Sequence, residues 1–168
     1  MVTQLQGHRV ATKEALVSHV QSVRLFMRDF AELNLLVRGE ETSDRQLEWA
    51  TMDFLSNFNG TPPMSRYTLD DLFSYQLNSF AVRGTVISTF ESLMIIYARN
   101  HLPFSDGGVT VSINDKAPII QSMLGLFQAS FEQKLRMIKT QLNVSQLLGS
   151  GAGGVASDYS VMYTSAYY

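Results

Sequence analysis

Residues 77–100 read LNSFAVRGTVISTFESLMIIYARN and contain only three charged side chains, Arg83, Glu91 and Arg99. A helix that is apolar on most of its circumference is central in a bundle or is covered by neighbouring subunits. The stretch therefore predicts one central helix, in which Gly84 allows another helix to approach closely. Its charges and small polar residues make a membrane span expensive, so no membrane is expected.

Helix signals lie on both sides of this stretch. Thr12 is a candidate N-cap, and Ser43 with Gln46 and Thr68 with Asp71 have capping-box spacing. The predicted helices cover 13–31, 44 to a stop at Asn59-Gly60, 69–73, and Pro118 to about Asn143. The phenylalanine and methionine stripes of the first and last helices are expected in the core: Phe26, Met27, Phe30, Met123, Phe127 and Phe131. The fold class is mainly α, a small bundle of about four helices.

A short β-hairpin arm is predicted near 104–116. Asp106-Gly107-Gly108 is a turn signal, and Val109, Val111 and Ile113 then alternate with polar residues. An exposed hairpin offers a strand edge for pairing between subunits. These three apolar residues are therefore candidates for an inter-subunit interface.

The composition changes at the end of the chain. The run 149–154 is glycine-rich and predicts a flexible linker. The last ten residues hold four tyrosines and no proline or glycine, which favours an extended docking strip because tyrosine is enriched in interface cores. We expect a domain over 1–148 and a docking tail over 149–168. The candidate partner-contacting residues are Tyr159, Val161, Tyr163, Tyr167 and Tyr168.

Length, net charge and the absence of cysteine argue against several classes of function. The 168 residues fit one domain, and a net charge of −2 argues against a dedicated nucleic-acid binder. The chain has no cysteine, and His8, His19 and His101 are scattered, so no metal, cofactor or catalytic constellation is expected. Glu91 with Arg83 and Arg99 could form the polar centre of an enzyme. Ion pairs with other helices or subunits explain these three charges more simply, which makes them inter-subunit candidates.

Two motifs lie at the start and the end of the second predicted helix. Residues Asn34 to Asp44 read NLLVRGEETSD, and residues Asp53 to Pro63 read DFLSNFNGTPP. They resemble a loop of the type LNxLLxGEExSD and a helix end of the type DFNxTPP in tailed-bacteriophage head–tail connector proteins, also called adaptor or neck proteins. The stretch 83–108, the segment Asp115 to Pro118 and the last helix complete the likeness over about 15–145.

The resemblance implies a fold and a role. Connector proteins of this kind are small helical bundles with a β-hairpin arm, and they form a ring, commonly of twelve copies, beneath the portal protein. Such a ring extends the DNA channel after packaging, without sequence-specific binding, and presents a platform to the next neck or tail component. The resemblance thus implies a structural virion protein at the head–tail junction, made in the cytoplasm of the bacterial host. Its tail segment would reach along the portal.

A second class of function remains open from the residues alone. A cytosolic helical adaptor or chaperone that docks a partner through the tyrosine-rich tail has the same composition and the same helices. It predicts a monomer or dimer in solution and no ring on any portal.

Overall fold

The computed structural model describes residues 11–34, 39–99, 103–106, 109–112 and 117–151, with side chains over 11–34, 39–99 and 118–145. Its helices are α1 (Lys13–Met27), α2 (Asp44–Gly60), α3 (Leu69–Ser74), α4 (Asn78–Arg99) and α5 (Ala117–Gly151), and its strands are β1 (Pro103–Asp106) and β2 (Val109–Ser112). The prediction of a mainly α-helical chain is confirmed.

Local sequence chemistry explains where the helices begin. The Thr12 hydroxyl accepts a hydrogen bond from the Ala15 N–H at the start of α1. Complete capping boxes open α2, through Ser43 and Gln46, and α3, through Thr68 and Asp71. Each cap satisfies backbone N–H groups that have no partner within the helix. All three predicted starts are confirmed.

Two helix ends differ from the predictions. The first helix ends at Met27 rather than at residue 31, because Arg28 adopts a left-handed conformation with φ 55°. The last helix continues past Asn143 to Gly151. Residues 144–148 contain neither glycine nor proline, and each of the two glycines that follow, Gly149 and Gly151, costs a helix only about 1 kcal/mol, so nothing forces an end at Asn143. The predicted linker at 149–154 therefore begins within α5.

The fourth helix is the centre of the bundle, since α1, α2, α3 and α5 all pack against it. Its first half is buried almost all round, including Ala81 and Val86. Helices of the same chain supply this burial, so the apolar character of this half does not require neighbouring subunits. In its second half Ile95 is 62% exposed.

Length and composition alone would allow α4 to cross a membrane. Over half of its apolar window, 56%, is however buried inside the bundle. The buried core helices of soluble proteins can be equally long and apolar, so the length and composition of α4 are weak evidence for a membrane span. The expectation that the chain has no membrane partner stays a prediction.

Gly84 allows α4 to approach two aromatic rings closely. A Cβ at this position would lie 2.2 Å from Cδ2 of Phe54 and 2.9 Å from Cζ of Phe131. Both rings belong to an aromatic cluster in which Phe131 stacks on Phe80 with centroids 4.5 Å apart. The predicted close approach at Gly84 is therefore confirmed.

Gly84→Ala is expected to lower the free energy of unfolding by about 1–3 kcal/mol, because the added methyl overpacks the core. Gly125→Ala is the matched control, since its Cβ meets nothing within 4 Å on the exposed side of α5. That variant should gain about 0.5–1 kcal/mol from helix propensity. Urea unfolding measures both, and a stabilised Gly84→Ala protein would contradict the packing described.

The strands β1 and β2 pair antiparallel, with Pro103 opposite Ser112 and Asp106 opposite Val109. The side chains of Val109 and Val111, and the whole of Ile113, lie outside the described residues. The predicted hairpin arm is not supported beyond this short pairing, and its inter-subunit role stays a prediction.

Candidate interaction surface

The first half of α5 exposes an apolar face without charge. From Ala117 to Phe131 the chain has no ionisable side chain. Ile119, Met123 and Leu126 are spaced by four and three residues on one helical face and are 63%, 40% and 78% exposed. Depletion of charge around exposed large apolar side chains is characteristic of interface cores. The expectation that Met123 lies in the core is wrong.

The charge-free face ends abruptly along α5. Glu132, Lys134 and Arg136 follow directly and are all exposed, as the outer surface of an ordinary solvated helix would be. The uncharged half is therefore a local feature of α5.

A second uncharged face lies on α1. Between Ala15 and Met27 the only ionisable residues are His19 and Arg24, and both are buried. The exposed large apolar residues of this helix are Val17, Leu25 and Phe26, at 47%, 65% and 45%. The predicted core placement of Phe26 is therefore wrong, whereas Met27 is half-buried as part of the core periphery.

The two uncharged faces belong to helices that flank α4. An open cleft of about 340 Å³ lies beside α4, where the end of α1 comes near the start of α5. Met27 and Arg28 line it from the α1 side, Phe90 and Tyr97 from α4, and Ile119 from α5. The Tyr97 hydroxyl donates to the Glu41 carboxylate at its edge.

Three predicted inter-subunit residues lie on α4, and all of them are exposed. Glu91 and Arg99 are separated by two turns, and exposed Ile95 lies between them at a spacing of four residues. Glu91 accepts a 3.0 Å hydrogen bond from the Gln128 amide of α5. Partial desolvation of its carboxylate, followed by the nearby Asp53 carboxylate, raises the pKa of Glu91. Arg83 lies eight residues before Glu91. The three charged residues are thus spread at equal intervals along α4, and the described contacts do not bring them together.

The motif at 34–44 is organised by a buried ion pair that sequence reasoning missed. Arg24 Nη1 lies 3.5 Å from the Asp29 carboxylate, and both side chains are over 90% buried. Asp29 accepts hydrogen bonds from the Asn34 amide, the Glu41 N–H, and the N–H and hydroxyl of Thr42. Burial raises the pKa of Asp29, but these hydrogen bonds outweigh it and hold that pKa below its ordinary value. Asn34, Glu41 and Thr42 therefore hold the described parts of this motif against Asp29.

The end of the second motif, Asp53 to Pro63, also makes contacts that hold the fold together. The side chain of Asn59 bridges the following segment by accepting from the Tyr67 N–H at 2.9 Å and donating to the Tyr67 carbonyl at 2.9 Å. Lys139 of α5 is 1% exposed, donates to the Ser65 hydroxyl, and lies 4.8 Å from the centroid of the Phe58 ring. Burial lowers the pKa of Lys139. The motif and α5 are thus held together.

The remaining candidate metal-binding or catalytic side chains do not cluster among the described residues. No cluster of three metal-ligating His, Cys, Asp or Glu residues occurs among the residues that the structure describes. His19 is buried, with Nε2 2.9 Å from the Thr85 hydroxyl, and burial lowers the pKa of His19 to about 4. His8, His101 and the tail candidates Tyr159, Val161, Tyr163, Tyr167 and Tyr168 lie outside the described residues.

Comparisons with protein-family models, curated proteins and solved structures find no match to this chain. The resemblance to phage connectors accordingly stays a prediction from the two motifs. The candidate site is the pair of uncharged faces. The charge-free run from Ala117 to Phe131 was visible in the sequence, but helical periodicity alone gave no means of telling which of its apolar residues face outward.

Proposed function

We propose that this chain is a structural virion protein that forms a ring between the portal and the tail or neck of a tailed bacteriophage. The observation that carries the proposal is the exposed, uncharged half of α5, with Leu126 at 78% exposure. A surface of this composition favours burial against another protein. In a connector ring, the neighbouring copy and the components above and below provide that cover.

The charge of the chain is compatible with a DNA channel. With 13 Lys and Arg against 15 Asp and Glu, the copies carry a small negative charge. Phosphate capture needs clustered Lys and Arg, and the overall charge of each copy does not favour it. A ring of such copies lets DNA slide through without holding it. No catalytic step or cofactor is part of this role.

The tail over 152–168 supplies the portal contact in this proposal. A chain that ends at Gly151 retains all five helices, α1 to α5. It should keep the helical circular-dichroism spectrum of the full chain and lose more than about 10-fold in affinity for the portal of the same phage, a difference of 1.4 kcal/mol. A full-length variant with Tyr159, Tyr163, Tyr167 and Tyr168 changed to serine controls for tail length. Unchanged portal binding by both variants would contradict a docking tail.

Reconstitution tests the ring itself. Purified chain mixed with purified portal complex should yield a particle with one added ring in negative-stain images and a matching increase in mass. A chain that remains a monomer or dimer beside unaltered portal complexes would contradict the connector role. That outcome would favour the cytosolic adaptor or chaperone.

A further inference from the structure

The uncharged faces on α1 and α5 are alike in length and in chemistry. Residues 15–27 of α1 span about 20 Å and residues 117–131 of α5 about 22 Å at the helical rise per residue. Each face combines exposed large apolar side chains with small ones, Ser18 and Ser22 on α1 and Ser122 and Gly125 on α5. Small residues between large ones allow two helices to pack ridge into groove.

We propose that the α5 face of one copy packs against the α1 face of the next copy, in a head-to-tail contact. The inference rests on the proposed ring function and names its inter-subunit contact. The apolar anchors are Leu25 and Phe26 on one copy, and Met123 and Leu126 on the other.

The charge distribution favours a second copy as the occupant. Charged side chains of both signs cover other parts of each copy, so a contact between copies through those parts carries the cost of desolvating them. The two faces that lack exposed charge can meet without it. A partner with a strongly charged surface would instead leave its own charges desolvated against apolar residues.

The positions of the two faces on one copy also favour a contact between an α1 face and an α5 face over a contact between two identical faces. Within one copy α1 and α5 both pack against α4, and their outer residues remain exposed. Each copy therefore offers two distinct surfaces and can contact two neighbours. Head-to-tail contacts of this kind close into a ring when the rotation between copies permits it.

Two blocking variants test this pairing in the full-length chain. Leu25→Glu places a charge on the α1 face, and Leu126→Glu places one on the α5 face. Each introduced charge should weaken self-association more than about 100-fold, because an unpaired carboxylate would be buried in the contact. Both leucines are at least 65% exposed, so the bundle should fold normally, which circular dichroism checks. Met64→Glu, at an 84% exposed residue outside both faces, is the matched control and should assemble like the natural chain.

The mixture of the blocking variants gives the decisive result. Each variant alone should sediment as a monomer, whereas a 1:1 mixture should form a heterodimer and stop there. In that heterodimer the intact α5 face of Leu25→Glu contacts the intact α1 face of Leu126→Glu. A mixture that stays monomeric, or single variants that assemble like the natural chain, would overturn the pairing.

Cysteine trapping distinguishes this inference from the proposed function. Because the chain has no cysteine, Ser22→Cys and Ser122→Cys introduce the only thiols. A disulfide should form between the two variants when they are mixed and oxidised, and neither should cross-link to itself. Self-linking of Ser122→Cys, or a ring on the portal that lacks the mixed link, would overturn the pairing and leave the connector role standing. A mixed link in a protein that never joins a portal would support the pairing and contradict the connector role.

Discussion

Replacing Asp29 by alanine should lower the free energy of unfolding by about 3–5 kcal/mol, the usual cost of removing one partner from a buried ion pair. The change removes the one buried carboxylate beside the buried Arg24 guanidinium and leaves it only Glu40 and Asp44, whose side chains are half or more exposed. It also deprives the N–H groups of Glu41 and Thr42 of their acceptor. Urea denaturation of the purified chain measures the loss.

The matched control for Asp29 is Asp44, another carboxylate bound by the same arginine. Asp44 Oδ1 accepts from Arg24 Nη2 at 2.6 Å, but its side chain is 71% exposed. Asp44→Ala should therefore cost at most about 1 kcal/mol. Equal losses in the two variants would contradict the importance of the buried position of Asp29.

Mild acid should destabilise the protein through His19. The pKa of this buried imidazole falls from 6.5 to about 4 on folding, because burial disfavours its charged form. The folded state therefore binds fewer protons than the unfolded chain below pH 6.5. Stability is fully present above that pH and is lost as the pH falls towards 4, by about 3 kcal/mol.

His19→Gln removes this titration and keeps a polar group that can reach the Thr85 hydroxyl. Its free energy of unfolding should be nearly independent of pH between 7 and about 4.5. Asp29, whose pKa is lowered, loses stabilisation only as the pH falls below its ordinary range, and Glu91, whose pKa is raised, changes stability in the opposite direction. A natural chain as stable at pH 4.5 as at pH 7 would contradict the assignment to His19.

Much of the architecture could be predicted from local sequence patterns. The caps at Thr12, Ser43 and Thr68 depend on residues three apart, so a linear reading finds them. The central position of α4 follows from its apolar circumference. Its burial by the same chain could not be predicted, because composition does not distinguish cover by neighbouring helices from cover by other subunits.

The contacts of the buried charged side chains Arg24, Asp29 and Lys139 could not be predicted from the sequence. Arg24 and Asp29 are five residues apart, and Arg24 reaches Thr42 and Asp44 only once the loop folds back. Lys139 meets Ser65 across 74 residues of sequence. Nothing in the periodicity of α1 or α5 marks these side chains as buried, because each requires a partner from a distant segment.

The outward faces were partly predictable. The absence of charge from Ala117 to Phe131 is plain in the sequence, but the same apolar residues fit a core stripe equally well. Only the packing of α5 on α4 separates buried Ile120 and Leu124 from exposed Ile119 and Met123. The candidate interaction surface therefore depends on tertiary structure.

The central claim is that copies of this chain form a ring at the head–tail junction, and cryo-electron microscopy of native particles tests it most directly. We predict a symmetric ring beneath the portal in which the α5 face of each copy contacts the α1 face of the next and residues 155–168 lie against the portal. Particles whose portal vertex contains no copy of this chain, with the protein present only as a lone bundle in the host cytoplasm, would contradict this claim.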